Sequence, residues 1–213
     1  MTVLDVDTPH GLAQAHLDVV DGARAVLVLG HGAAGGIAAR DLTAARNVAL
    51  AHGVSVALVE QPYRVAGRRS PPATGRLDIA WTTVVEHLAA TELGGLPLVV
   101  GGRSLGARVA CRTAEELGAV GVLCLAFPLR PPGRAEAPSR LPELEALTVP
   151  TLVVQGERDP FGIPPASDLR TVAIVSGDHG LRTDLEAVAA AVDGWLPEVV
   201  AQAVRPAGRT GTP

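Results

Sequence analysis

What most limits the fold of this chain is a set of short, nearly uninterrupted runs of Val, Leu and Ala, each followed by a longer amphipathic stretch. Runs at 25–29, 54–60, 98–101, 121–127 and 151–155 are too short for helices and do not alternate between apolar and polar residues. A continuous apolar run of that length is expected of a strand whose sheet is covered on both faces. A further run at 171–175 completes this series. The run at 13–20 alternates instead and predicts a half-exposed edge strand. Helix patterns fall between the runs at 41–52, 77–92, 105–117, 141–147 and 183–204, with Gly53 and Gly118 where C-caps belong. The last helix is expected to break at Asp193-Gly194, with Pro197 opening a new turn.

Repeated strand–helix units imply a parallel sheet joined by right-handed crossovers. The expectation is a doubly wound, mostly parallel α/β sheet of about seven strands with helices on both faces. Its 213 residues suit a single domain, placed at 1–205, with 206–213 as a frayed tail. Only about a dozen residues separate the run ending at Phe127 from the helix near Leu141, so no lid domain is expected.

Composition removes several classes of function. The net charge is −4 and no basic block occurs, which disfavours a nucleic-acid partner. Residues 1–22 are polar and mixed, unlike a signal peptide. The apolar runs are too short to span a bilayer, so no membrane partner is expected. Cys111 and Cys124 lack CxxC or metal-ligand spacing. Reduced thiols acting as small hydrophobes, a cytoplasmic setting and no bound metal follow as expectations.

Two glycine motifs compete for the function. Residues 30–35 (GHGAAG) satisfy GxGxxG after a strand, and Glu60 ends the next strand where a ribose-binding acid would stand. Residues 102–106 (GRSLG) satisfy GxSxG between a strand and a helix. On composition alone, ~0.3 occurrences of the first pattern and ~0.08 of the second are expected by chance. Position also weakens the first. A dinucleotide site needs its glycines to open the helix directly, and here the helix pattern starts only near Asp41.

The second motif places Ser104 in a sharp turn that exposes its hydroxyl at the top of the sheet. A nucleophilic Ser needs a base and an acid to orient it. Asp159 and His179 each stand just past the carboxyl end of a strand run, in the order Ser…Asp…His, and so can converge with Ser104 on one rim. Asp178 and Glu157 are lesser rivals to Asp159. The other histidines precede the sheet (His10, His16) or lie on helix patterns (His52, His87). Two donors must meet an oxyanion. The backbone N–H of Leu105 and that of Ala33, with Ala34 as second choice, are the candidates, and His31 is read as shaping that loop.

Three of the five aromatic residues, Tyr63, Phe127 and Phe161, follow strand ends and are candidate substrate contacts in an open site suited to short acyl groups. Arg64, Arg68 and Arg69 crowd one loop with no acid before Asp78, and Arg103 precedes the nucleophile. This excess of positive charge favours an anionic substrate, with Arg68 and Arg69 as its contacts. Arg103 and Arg108 can alternatively pair with nearby acids and brace the turn.

Strand–HG–loop, GxSxG, Asp and His in this order resemble the α/β-hydrolase superfamily over nearly the whole chain. Residues 101–108 (GGRSLGAR) are similar to the GGRSxGxR elbow of a small dienelactone-hydrolase-like branch, which includes testis-expressed homologues and a subunit of a chromatin acetyltransferase complex. Gln61-Pro62-Tyr63 with Gly67-Arg68-Arg69 resembles a loop of its bacterial members. The resemblance implies hydrolysis of an ester, thioester or related acyl bond in a small-molecule substrate, without a cofactor. Dienelactone hydrolases use a Cys nucleophile, and Ser104 stands in its place, which argues against lactone opening. Two other readings stay open: a catalytically idle fold serving as an interaction module, and acyl transfer to a nucleophile other than water.

Overall fold

The computed structural model describes residues 1–134 and 136–204. The expected tail at 206–213 lies outside the described residues. The strands are β1 (Thr2–Thr8), β2 (Gly11–Asp18), β3 (Ala25–Gly30), β4 (Val54–Glu60), β5 (Leu98–Arg103), β6 (Gly121–Leu125), β7 (Thr151–Gly156) and β8 (Arg170–Val175). The helices are α1 (Arg40–Ala51), α2 (Pro62–Val65), α3 (Thr74–Ala90), α4 (Leu105–Thr113), α5 (Leu141–Glu145) and α6 (Leu185–Val204). They build one eight-stranded sheet in the order β1-β2-β4-β3-β5-β6-β7-β8. From β4 to β8 every pairing is parallel, whereas β1 and β2 run antiparallel to their neighbours.

The continuous apolar runs have their expected cause. On β3, Ala25, Leu27 and Leu29 pack in the core layer that includes Leu42 of α1 and Leu196 of α6. Val26 and Val28 point to the opposite layer, with Trp81 of α3 and Val109 of α4. Both faces are covered, so both sets of alternate residues must be apolar. Cys111 and Cys124 are buried free thiols in the second layer.

Three expectations are corrected. The run at 13–20 is not an edge strand: β2 lies between β1 and β4, and the outer edge is β1. β1 alternates exposed and buried residues weakly, with only Val6 fully buried, so its pattern is faint. The break at Asp193-Gly194 does not occur. α6 continues through Gly194 and Pro197 because its Val188, Val192, Leu196 and Val200 stripe is buried in one layer, and that packing outweighs the local helix breakers. By length and a mean hydropathy of 1.2 this helix also meets the size of a bilayer span, which counting unbroken apolar runs overlooks. Its stripe is instead part of the core. Lastly, Pro62–Val65 forms a short helix inside a stretch expected to be loop.

Sheet order sets the position of the site. The chain passes from β3 to β4 on one side, then returns across β3 to build β5 on the other. Loops leaving the carboxyl ends of β3 and β5 therefore diverge to opposite sides and leave a crevice between them.

Candidate active site

The turn between β5 and α4 holds Ser104 at φ 51° and ψ −104°. A left-handed φ on a residue with a Cβ costs about 1–2 kcal/mol, so surrounding packing must impose it. The glycines show how. A Cβ on Gly106 would lie 2.3 Å from the Gly30 carbonyl oxygen, and one on Gly102 would lie 2.4 Å from the same atom. Thus β5 and the start of α4 press directly on the end of β3. The Ser104 N–H donates to the Leu125 carbonyl at 2.9 Å, which fixes the turn to β6 as well.

His179 lies in the loop between β8 and α6. That loop crosses over the end of β7, where a Cβ on Gly156 would stand 2.4 Å from the Asp178 carbonyl oxygen. His179 Nε2 lies 2.9 Å from Ser104 Oγ, and Nδ1 lies 2.8 Å from Asp159 Oδ2. A carboxylate only accepts, so Nδ1 carries the proton and donates. The Nε2 lone pair then faces the Ser104 hydroxyl. Phe161 lies against the imidazole, with ring centroids 4.2 Å apart.

Asp159 is held from several directions. Its Oδ1 accepts the Phe161 N–H at 2.8 Å, and its Oδ2 accepts from Gln155 Nε2 at 2.8 Å as well as from His179. The rivals are engaged elsewhere: Asp178 accepts the Gly180 N–H, and Glu157 pairs with Arg158. Gln155 is the residue that sequence reasoning missed. It is fully buried, accepts the Phe127 N–H at 2.9 Å, and donates toward the Phe127 carbonyl, the Gly162 carbonyl and Asp159. A polar Gln inside the apolar run at 151–155, four residues before the acid, was the available signal, since a buried amide must find partners.

The loop after β3 passes over Ser104, for a Cβ on Gly32 would lie 3.8 Å from Ser104 Cβ. His31 is buried and shapes this loop. Its Nε2 accepts the Gln61 N–H at 3.1 Å and its Nδ1 donates to the Gly32 carbonyl at 2.8 Å. Burial pushes its pKa below 6.5 and keeps the ring neutral, although the Gly32 bond opposes this. Tyr63 Oη donates to the Ala33 carbonyl at 2.8 Å, and burial drives its phenol pKa up to about 12. Among the described residues, neither the Ala33 N–H nor the Leu105 N–H has a protein acceptor.

Several expected substrate contacts lie elsewhere. Phe127 is wholly buried and packs the sheet, so it touches no open surface. Tyr63 is buried and supports the loop at Ala33. Arg68 and Arg69 are exposed on the loop after α2; Arg68 lines a neighbouring cleft and Arg69 does not. Phe161 alone of the three aromatics adjoins the His179 ring. Arg103 is a brace: its Nε lies 3.0 Å from Asp41 Oδ2 on α1, and its Nη2 donates to the His179 carbonyl at 3.0 Å. Burial raises the Asp41 pKa, with Arg103 opposing the shift. Arg108 pairs with Glu143 on α5.

No curated protein matches the sequence significantly. Solved structures do match the fold. A lidless α/β serine hydrolase from Xanthomonas campestris aligns with a TM-score of 0.75 at 18% identity, covering 100% of this chain and 96% of that one. An α/β serine hydrolase homologue from Coxiella burnetii gives 0.74 at 13% identity, covering 91% and 96%. Est1E from Butyrivibrio proteoclasticus gives 0.74 at 15% identity, covering 94% and 100%. Residues 23–200 match the family described as alpha/beta hydrolase domain, a span that runs from the start of β3 nearly to the end of α6. The chain belongs to the α/β hydrolase domain family.

Proposed function

We propose that the protein is a serine hydrolase that cleaves an ester, thioester or related acyl bond through an acyl-enzyme. The observation that carries this reading is the continuous chain from Ser104 Oγ through both imidazole nitrogens to Asp159, with contacts of 2.9 and 2.8 Å. As Ser104 Oγ attacks the acyl carbonyl, His179 Nε2 takes its proton. Asp159 holds the ring orientation and stabilises the imidazolium. The free N–H groups of Leu105 and Ala33 are the donors for the oxyanion, which is worth about 3–4 kcal/mol per donor in comparable sites. His179 then passes its proton to the leaving group. Water, deprotonated by the same nitrogen, attacks the acyl-enzyme and releases the acid. These residues supply nucleophile, base and anion stabilisation, so the reaction as proposed needs no cofactor.

The GGRSLGAR elbow and the 61–69 loop support placement in the dienelactone-hydrolase-like branch, with Ser104 in the nucleophile position. The short segment 126–140 between β6 and α5 supports a site open to solvent and suited to short acyl groups.

Labelling with a fluorophosphonate probe tests the reading. A single adduct on Ser104 is expected, lost in Ser104→Ala and strongly slowed in His179→Gln. Absence of labelling, or equal labelling in Ser104→Ala, would instead favour a catalytically idle fold.

A further inference from the structure

A cleft of about 630 Å³ lies between the β1–β2 turn, α2 and the first turn of α3. It contains none of the triad. Tyr63 forms the wall between the two regions, lining the cleft while its hydroxyl holds the Ala33 carbonyl beside the nucleophile. In the sheet, β4 leads into this cleft and stands two strands from β5, a separation of roughly 10 Å.

The lining carries a one-sided charge. Arg68 and Arg76 both line the cleft, and among the described residues no Asp or Glu does. Among the described residues neither arginine forms an ion pair. By contrast, Arg46, Arg103, Arg108 and Arg112 all have carboxylate partners. The loop bearing Arg68 is also fixed before any ligand arrives. The Arg68 N–H donates to the Tyr63 carbonyl at 2.8 Å, the Gly67 N–H donates to the Arg64 carbonyl at 2.8 Å, and Arg64 Nη1 donates to the Arg68 carbonyl at 3.3 Å. Two guanidiniums on one concave, acid-free surface concentrate positive potential there in a chain of net charge −4. Each can also bind a carboxylate or phosphate through paired N–H groups.

We propose that this cleft receives an anionic group, a carboxylate or a phosphate, carried by the acyl substrate roughly 10–15 Å from the bond that Ser104 attacks, a span set by two to three strand spacings. Arg68 and Arg76 bind the anion, and Pro62 and Val65 offer apolar contact to the chain that links it to the acyl carbon. The reference to a substrate rests on the serine-hydrolase reading; the affinity of the cleft for anions does not.

Two measurements separate these claims. The first compares mono-4-nitrophenyl esters of α,ω-dicarboxylic acids of increasing length, and ω-phosphorylated counterparts, with their neutral methyl-capped isosteres. Charged esters long enough to span the gap should have about tenfold higher kcat/KM than their isosteres, consistent with hydrogen bonds to charged groups. The advantage should shrink as salt rises and vanish in the Arg68→Gln/Arg76→Gln double variant, with kcat/KM for neutral esters unchanged. The series that gains more identifies carboxylate or phosphate as the preferred anion. Equal rates for charged and neutral esters, or an advantage that survives in the double variant, would overturn the proposal while leaving the hydrolase reading intact. The second measures binding of the long dicarboxylate mono-anilide and its phosphorylated analogue to Ser104→Ala by calorimetry. Binding abolished by the two arginine substitutions supports the cleft even if no ester is turned over, which would defeat the hydrolase reading alone. Binding unaffected by those substitutions overturns the cleft.

Discussion

Replacing Gln155 by Glu gives a nearly isosteric probe of the network behind the triad. Gln155 Nε2 lies 2.8 Å from Asp159 Oδ2, so a carboxyl in its place would bring two charge centres to about 4 Å. At an effective dielectric near 20 their repulsion is about 4 kcal/mol. The pKa of the new group in the folded protein would therefore be raised above the ordinary carboxylate value, because a like charge beside it disfavours ionisation. Below that pKa its proton can donate to Asp159 while its other oxygen accepts the Phe127 N–H. The Phe127 and Gly162 carbonyls then lose a donor, a deficit of about 1–3 kcal/mol. Because the folded pKa is raised above the unfolded one, stability is highest below about pH 4.3. Relative to the native protein it declines as pH rises through the raised pKa, by up to about 4 kcal/mol in all. Urea denaturation of both proteins at pH 5, 6, 7 and 8 measures this difference directly. A stability difference that does not change with pH would refute the idea that the Gln155 amide is the donor Asp159 requires.

Gly106→Ala should lower the fluorophosphonate labelling rate about 100-fold, because a Cβ 2.3 Å from the Gly30 oxygen forces α4 and β3 apart by roughly an ångström. The same overpacking should reduce stability by about 1–3 kcal/mol, and labelling with unchanged stability would show that the contact is soft. His31→Gln tests the neutral imidazole. A folded pKa below 6.5 makes the native protein lose stability as pH falls from about 6.5 toward that lowered value, by at most about 1.4 kcal/mol per pH unit. The variant should lack that part of the slope in denaturation curves at pH 5 to 7, and an identical slope would count against burial of the neutral ring.

Much of this was legible in the chain. The apolar runs read correctly because period and length reflect which faces of a strand are covered, a local property. The meeting of Ser104, His179 and Asp159 on one rim was legible because strand-to-helix glycines and strand-end positions constrain where side chains can meet. β1 was not, since an edge strand buries little and leaves little pattern. The continuity of α6 through Gly194 and Pro197 was hidden for the opposite reason: packing against the sheet overrides a local preference. Among the aromatics, sequence position past a strand end could not distinguish Phe127, which turns into the core, from Phe161, which covers His179.

Sequence alone determined the layered α/β architecture and the sharp turn at Ser104, and it placed Asp159 and His179 at neighbouring strand ends, because periodicity and glycine placement are written residue by residue. Tertiary structure decided which neighbours those side chains meet. It made Arg103 a strut to Asp41 and His179, set Arg68 and Arg76 on a shared cleft with no ion-pair partner among the described residues, and placed the Gln155 amide behind Asp159. The physical reason is that pairing and burial depend on distances between segments far apart in the chain. These are set only when the sheet order brings β3, β5 and β7 to one end of the molecule.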